Sequence, residues 1–312
     1  MRKFVGIGET VLDIIFRDDQ PTAAIPGGST FNAMISLGRM TRKHFPEAKV
    51  MMVSETGSDH VGDIVTSFME ENGVCSTAVT RNPGTQTHIS LAFLDKDNNA
   101  RYEFYKDHAS ASLKDEAVTG ISFEKDDLVL FGSYFAINPK IRSYVRGLIR
   151  KAHDAGAIIF YDINFRKNHL SDLKDTFENI VENCRLSDFV RGSAEDFGYL
   201  FGTSDPKEIY EKHIRALCPD FICTQGAGPV EVFTPGGHMS FPVEQYETVS
   251  TIGAGDNFNA GFLYSLLSEG IGKDNLAGIR EPVWERIVHI AGRFSKNTCQ
   301  SIDNYVSKDF DL

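Results

Sequence analysis

The sequence predicts an α/β protein: a mostly parallel sheet covered by helices on both faces, with a small antiparallel lid. Three observations carry this expectation. Near-continuous apolar runs of strand length recur along the chain, helix-length amphipathic segments separate them, and two stretches interrupt the alternation with hairpin-like pieces.

The apolar runs are VMMVSETG (50–57), DLVLFGSY (127–134), AIIFYDIN (157–164) and FICTQG (221–226). They carry apolar residues on both sides, as parallel strands do when helices cover both faces. Helices are expected near 30–44, 60–73, 138–155, 206–217 and 256–269. The first interruption is residues 10–25, short apolar pieces around the polar turn FRDDQP. The second is 85–106, TQTHISLAFLDKDNNARYEFYK, two alternating strands around a polar turn. Asp95, Asp97 and Asn99 in that turn have calcium-loop spacing. Ala100 stands at the sixth position and Lys106 at the twelfth, where such a loop needs Gly and Glu, so a hairpin is expected. No repeat, low-complexity tract or linker divides residues 1–312, which read as one domain with the two interruptions as its lid. The alternation within 85–106 leaves one face of the hairpin apolar, and an exposed apolar face predicts a homodimer that pairs lid to lid.

With 312 residues the chain can bury a full core without staples. A formal net charge of −11 excludes nucleic acid and anionic membrane as expected partners, because both need clustered Lys and Arg. An anionic nucleotide needs only a local pocket of donors and stays admissible. There is no apolar run of membrane-spanning length, and MRKFVGIGETVLD does not read as a signal peptide. Five cysteines without a CxxC and nine scattered histidines point away from a disulfide framework or metal site, and toward the cytosol.

The most informative segment for chemistry is VSTIGAGDNFNAGFLYSLL, residues 249–267. Gly253, Ala254 and Gly255 let the backbone approach a ligand, and the unpaired N–H groups of the helix start form an anion site. Asp256 at that start is a helix cap when read alone, and a general base when read beside an anion site. In PGGSTFNAMISLGRM (26–40), Gly27 and Gly28 open a turn, and Asn32 places a donor and an acceptor early in a helix. Asp13 follows the first strand. Asp162, Asn164 and Arg166 in YDINFR lie at the end of a buried strand, and Thr224, Gly226 and Gly228 in TQGAGP follow another. The phosphate-binding loop GxxxxGK[ST] is missing. GIGETV has Val11 where a dinucleotide fingerprint needs its third glycine, which leaves a nicotinamide oxidoreductase little support.

Taken together, the GG…N and GAGD segments, some 220 residues apart and in this order, resemble the ribokinase-like (PfkB) carbohydrate kinases, and the resemblance runs over nearly the whole chain. It implies a doubly wound αβα sandwich with a β lid, ATP as phosphoryl donor, and Mg²⁺ carried with the nucleotide. Asp256 then matches the base, and Gly253, Ala254 and Gly255 the anion hole. Asp13, Gly27, Gly28 and Asn32 match sugar-binding positions. Asn164, Ser193, Thr224, Gly226 and Gly228 match the nucleotide side. Arg166 matches an arginine of the fructokinase and 2-keto-3-deoxygluconate kinase branches, and fructose is the first acceptor to consider. That kinase, ribokinase and nucleoside kinase are the enzymatic alternatives, and a sugar- or nucleoside-binding protein without catalysis is the alternative of another class.

Two positions depart from the family pattern. Ser250 stands where an Asp often helps hold potassium, which makes a monovalent-cation site doubtful. The Asn/Ser-x-x-Glu element that organises Mg²⁺ is here Ser193-Ala194-Glu195-Asp196, so Asp196, one methylene shorter than Glu, would reach the metal through water.

Overall fold

The computed structural model describes residues 2–94, 100–105 and 120–312. The calcium-like Asp95, Asp97 and Asn99, and also Lys106, lie outside the described residues. In chain order the strands are β1 (Lys3–Ile7), β2 (Val11–Arg17), β3 (Gln20–Gly27), β4 (Lys49–Gly57), β5 (Val74–Cys75), β6 (Val79–Asn82) and β7 (Ile89–Leu94). They continue with β8 (Ala100–Tyr105), β9 (Leu128–Gly132), β10 (Ile158–Asp162), β11 (Phe189–Ser193), β12 (Asp220–Thr224), β13 (Val230–Thr234) and β14 (Gly237–Phe241). The described α-helices are α1 (Ser29–His44), α2 (His60–Glu71), α3 (Ser133–Ile137), α4 (Arg142–Asp154), α5 (Leu173–Arg185), α6 (Ala194–Phe201), α7 (Pro206–Ile209), α8 (Ala254–Ser268) and α9 (Glu281–Cys299). The helix expected over 206–217 is α7 followed by a π-turn, Tyr210–Ile214.

The central sheet runs β14-β13-β12-β11-β10-β9-β1-β4-β5, with β6 also on β4. Every pairing from β12 through to β5 is parallel, and β13 and β14 add an antiparallel edge. Alternate residues of one strand enter different cores. Phe4, Leu130, Phe160 and Phe189 pack with Phe262 and Trp284 on one face. Val5, Val129, Phe131 and Tyr161 pack with Val145 and Ile180 on the other. That two-sided burial is why the strands read as continuous apolar runs. One parallel strand, β11, escapes that pattern. Its sequence FVRGS has a buried arginine at its centre, and the charge is tolerated only because a carboxylate on the next strand meets it.

The second sheet has the order β3-β2-β7-β8 and falls on the two interruptions. Each interruption forms an antiparallel hairpin, and the hairpins join through the parallel pair β2–β7. Asp13, Ile15, Ser90 and Ala92 are buried on the inner face. Ile14, Phe16, Ile89, Leu91 and Phe93 make a half-buried apolar outer face, with Phe16 stacked on Phe93 at 4.9 Å. On β8, Phe104 shares the inner face with Ser90, and Tyr105 the outer face with Ile89.

Candidate active site

The carboxyl ends of β10, β11 and β12 lie beside the start of α8, where parallel sheets of this kind bind ligands. Gly253 caps α8 with φ 77, and a Cβ there would stand 2.5 Å from the Asn304 carbonyl oxygen. Only glycine combines that left-handed backbone with that close approach. No side chain caps the helix. The expected donor set shifts by one residue. The Ala254 N–H is taken up by the Thr251 carbonyl at 3.3 Å, whereas those of Gly253, Gly255 and Asp256 have no partner among the described residues. Those free donors sit at the positive end of the helix, an arrangement suited to hold an anion.

Asp256 lies one residue further into the first turn and is held from α1. Ser29 Oγ donates to its Oδ1 and Asn32 Nδ2 to its Oδ2, both at 2.8 Å. Asn32, expected to meet a sugar, thus spends its amide on the carboxylate, while its Oδ1 is buried without a partner. Burial pushes the Asp256 carboxyl up to about 6 against these two hydrogen bonds; Asp162 pushes the same way and Arg166 opposes. A half-buried carboxylate of that kind is matched to removing a proton near neutral pH.

A second carboxylate faces the same space. Asp13 on β2 accepts hydrogen bonds from Ser90 Oγ and, at 3.2 Å, from Asn304 Nδ2. Gly27 passes so close that a Cβ would lie 2.1 Å from Asp13 Oδ2. Gly28 is the N-cap of α1 and brings Ser29 and Asn32 into position. Burial raises the Asp13 carboxyl to about 6 against the Ser90 bond, with the Asp256 charge adding to the rise. Two carboxylates flanked by short hydroxyl and amide donors suit a polyhydroxy ligand. The Arg166 side chain is exposed and makes no hydrogen bond among the described residues, and its charge reaches Asp256.

Both carboxylates must be ionised to accept hydroxyl protons. Activity therefore falls as pH drops through about 6. A profile of kcat/KM from pH 5 to 8 checks this, and a flat acid limb would remove both groups from the chemistry.

On the other side of the anion site, a cleft of about 380 Å³ is lined by Arg191, Ser193, Thr224, Gly226 and Gly255 and continues along α9. Arg191 was not legible as a site residue. It is 6% exposed, and its Nη1 donates to Asp162 Oδ1 at 3.1 Å and Nη2 to Thr224 Oγ1 at 2.7 Å. A Cβ on Gly255 would lie 2.8 Å from Nη1, so the guanidinium, paired with Asp162, stands directly against the start of α8. The signal available in sequence was an arginine inside an apolar strand. Gly226 has φ 60 beside the cleft. Gly228 donates its N–H to the Gln225 carbonyl and shapes that turn without lining the cleft. Asn164 does not line the cleft either, because its Nδ2 donates to Ser133 Oγ at 2.7 Å.

Asp196 closes a capping box on α6. Its Oδ2 accepts from both the N–H and the hydroxyl of Ser193 at 2.7 Å. Burial raises its carboxyl, and Asp162 adds to the rise. No cluster of three ligands among the described residues could hold a metal by itself. Asp162, Asp196 and Asp256 nevertheless concentrate negative charge here, and Asp196 Oδ1 stays outside the capping box. These residues fit a hydrated divalent cation that arrives already bound to phosphate.

The family model described as pfkB family carbohydrate kinase matches residues 1–277. The chain is 26% identical over 271 residues to a fructokinase of Rhizobium leguminosarum bv. trifolii, covering 85% of this chain and 79% of that one. Its fold matches aminoimidazole riboside kinase from Salmonella enterica, solved with aminoimidazole riboside and an ATP analog. The TM-score is 0.82 at 18% identity, over 99% of this chain and 97% of that one. It matches equally a fructokinase double mutant from Vibrio cholerae O395 in its fructose-, ADP- and potassium-bound form. There the TM-score is 0.82 at 21% identity, over 97% and 94% of the two chains.

Proposed function

The chain belongs to the pfkB family of carbohydrate kinases, and from that premise we propose that it transfers the γ-phosphoryl group of ATP to a hydroxymethyl group of a small sugar, fructose first. The observation that carries the proposal is Asp256: a carboxylate tuned to about 6, beside the free N–H groups of α8 and in electrostatic contact with Asp13. In this reading Asp13 and the inner face of the small sheet bind the acceptor, with Gly27 and Gly28 giving the room. Asp256 accepts the proton of the reacting hydroxyl. Gly253, Gly255 and Asp256 N–H groups, with Arg191, hold the transferring phosphoryl group. Thr224, Gly226 and Ser193 flank the nucleotide, and Arg166 reaches the acceptor or the phosphate from the open side. Magnesium, when bound with the nucleotide, supplies charge neutralisation, and Asp196 and Asp162 are the residues that would meet its water shell.

ATP consumption across fructose, ribose, 2-keto-3-deoxygluconate, aminoimidazole riboside and common nucleosides tests the proposal. Aminoimidazole riboside belongs in the panel because the fold matches its kinase as well as it matches fructokinase. Turnover of fructose supports the acceptor assignment, and turnover of a riboside alone replaces it. Binding of sugar without turnover of any acceptor would leave the non-catalytic alternative.

The departure at position 250 bears on potassium. Ser250 is buried; its Oγ accepts from the Ile252 N–H at 3.2 Å, and the Val249 and Ser250 N–H groups both donate to the Cys299 carbonyl. The loop holds itself together, and no carboxylate supplies the charge that strengthens an oxygen cage. Turnover therefore changes little when potassium replaces an inert organic cation at constant ionic strength, and Ser250→Asp introduces activation. Several-fold activation of the unmodified protein would overturn this.

We assign the whole chain to one kinase domain with the small sheet as its lid. Ile14, Phe16, Ile89, Leu91 and Phe93 on the outer face support a homodimer through that sheet, since a patch of this kind marks an interface. Sedimentation at micromolar concentration checks the assembly: Phe93→Asp gives monomers, and a monomeric unmodified protein refutes it. Among the described residues no helix is long and apolar enough to cross a membrane. All five cysteines are free thiols, which supports a reducing, cytosolic setting.

A further inference from the structure

We propose that Asn304 is a positioning residue that fixes the acceptor carboxylate in register with the anion site. It lies beyond residues 1–277, the part of the chain that the family model matches. Its side chain and main chain hold different halves of the site. Nδ2 donates to Asp13 Oδ2 at 3.2 Å, which ties the small sheet to the core. Its carbonyl accepts from Asn257 Nδ2 at 2.8 Å and lies against Gly253, where a Cβ would stand 2.5 Å away. Asn257 Nδ2 also donates to the Gly253 carbonyl at 2.8 Å, so the same amide fastens the loop that carries the free N–H groups.

The segment around Asn304 is anchored independently of the ligand. Tyr305 Oη donates to the Pro26 carbonyl at 3.1 Å, beside Gly27. The Val306 N–H donates to Ser36 Oγ at 3.1 Å, and that hydroxyl donates on to Asn257 Oδ1. Arg39 stacks over the Tyr305 ring at 4.9 Å. Asn304 is 1% exposed, and its Oδ1 is buried without a partner. An apolar side chain of the same size would avoid that unpaired oxygen, so the amide is explained by what its nitrogen holds. Asp13 then needs two donors, Ser90 from its own sheet and Asn304 from the core. Without the second, the lid can move and take the acceptor carboxylate away from Asp256.

The kinetic part of the test rests on the sugar-kinase reading, and the titration part does not. Asn304→Ala and Asn304→Asp are made, and folding of each is checked by thermal melting. The carboxyl resonances are titrated by NMR, with Asp13 assigned through Asp13→Asn. In Asn304→Ala the Asp13 carboxyl titrates about one pH unit higher, because a hydrogen bond to its charged form is gone. With fructose as acceptor, the KM for fructose rises about tenfold, a typical loss for a bond to a charged group, while the KM for ATP stays within about twofold. The other groups facing Asp13, namely Asp256, Glu9, Ser90 and Tyr305, are unchanged in both variants. Asn304→Asp separates positioning from packing, since it keeps the shape but can donate only when protonated. Lowering pH from about 8 to 6 therefore lowers its KM for fructose, opposite to the unmodified protein, where Asp13 begins to protonate. A folded Asn304→Ala in which Asp13 titrates as before overturns the inference, as does an equal rise in KM for fructose and ATP. If the unmodified protein does not phosphorylate fructose, the acceptor assignment falls and the titration decides the role of Asn304.

Discussion

Asp256→Asn lowers turnover by about 10²–10⁴-fold, the usual contribution of a general base, while leaving the affinities for sugar and nucleotide largely intact. The surroundings accommodate the amide. Asn32 Nδ2 needs an acceptor, which the remaining side-chain oxygen supplies, and the Ser29 hydroxyl can turn from donor to acceptor toward the new NH₂. Geometry is thus kept while the basic oxygen is lost. The substitution also has a stability signature with a definite sign. The folded-state carboxyl is raised to about 6, above its ordinary value, so its ionisation works against folding above that pH and the cost fades as pH falls toward 4. Asp256→Asn therefore melts higher than the unmodified protein at pH 8, and the difference narrows at pH 5. A fall in turnover of less than tenfold would remove Asp256 from the proton transfer and sink the central assignment.

Removing Arg191 has the largest expected effect on stability. The Arg191–Asp162 pair is buried, 6% and 2% exposed, and Asn259 Nδ2 also donates to Asp162 Oδ2 at 2.7 Å. Taking away one member of such a pair leaves a buried charge uncompensated and costs about 3–5 kcal/mol. Here the cost is aggravated, because Asp196 and Asp256 both lie within electrostatic reach of Asp162. Arg191→Met lowers the melting temperature by roughly 10 °C at neutral pH. The loss shrinks when Asp162→Asn is added, because no buried charge is then left without a partner. Arg191→Met also raises the KM for ATP more than that for sugar, since the guanidinium lines the cleft beside Gly255 that we propose for the nucleotide. A variant that melts within about 2 °C of the unmodified protein and binds ATP normally would show the pair to be dispensable.

Much of the architecture was legible because its causes are local in sequence. Period and turn chemistry reveal the strands that become β4, β9, β10 and β12, the helices α1 and α8, and the two hairpins, since a strand buried on both faces must be apolar throughout. The GAGD and GG…N segments carry backbone requirements, a left-handed Gly253 and a crowded Gly27, that a short stretch of sequence states directly. β11 was not legible, because Arg191 is acceptable in a buried strand only when Asp162 stands beside it on β10.

The sequence by itself determined the fold class, the glycine-flanked helix start, and the two acidic residues of the candidate site. Tertiary structure alone decided who holds those residues. Ser29 meets Asp256 across 227 positions, and Asn304 meets Asp13 across 291. No periodicity or spacing encodes such a pair, because each partner is an ordinary polar residue until the sheet and its helices close. A hydrogen-bond donor or acceptor is committed only when a partner comes within about 3 Å. Which partner arrives is set by the packing of elements that the chain visits hundreds of residues apart.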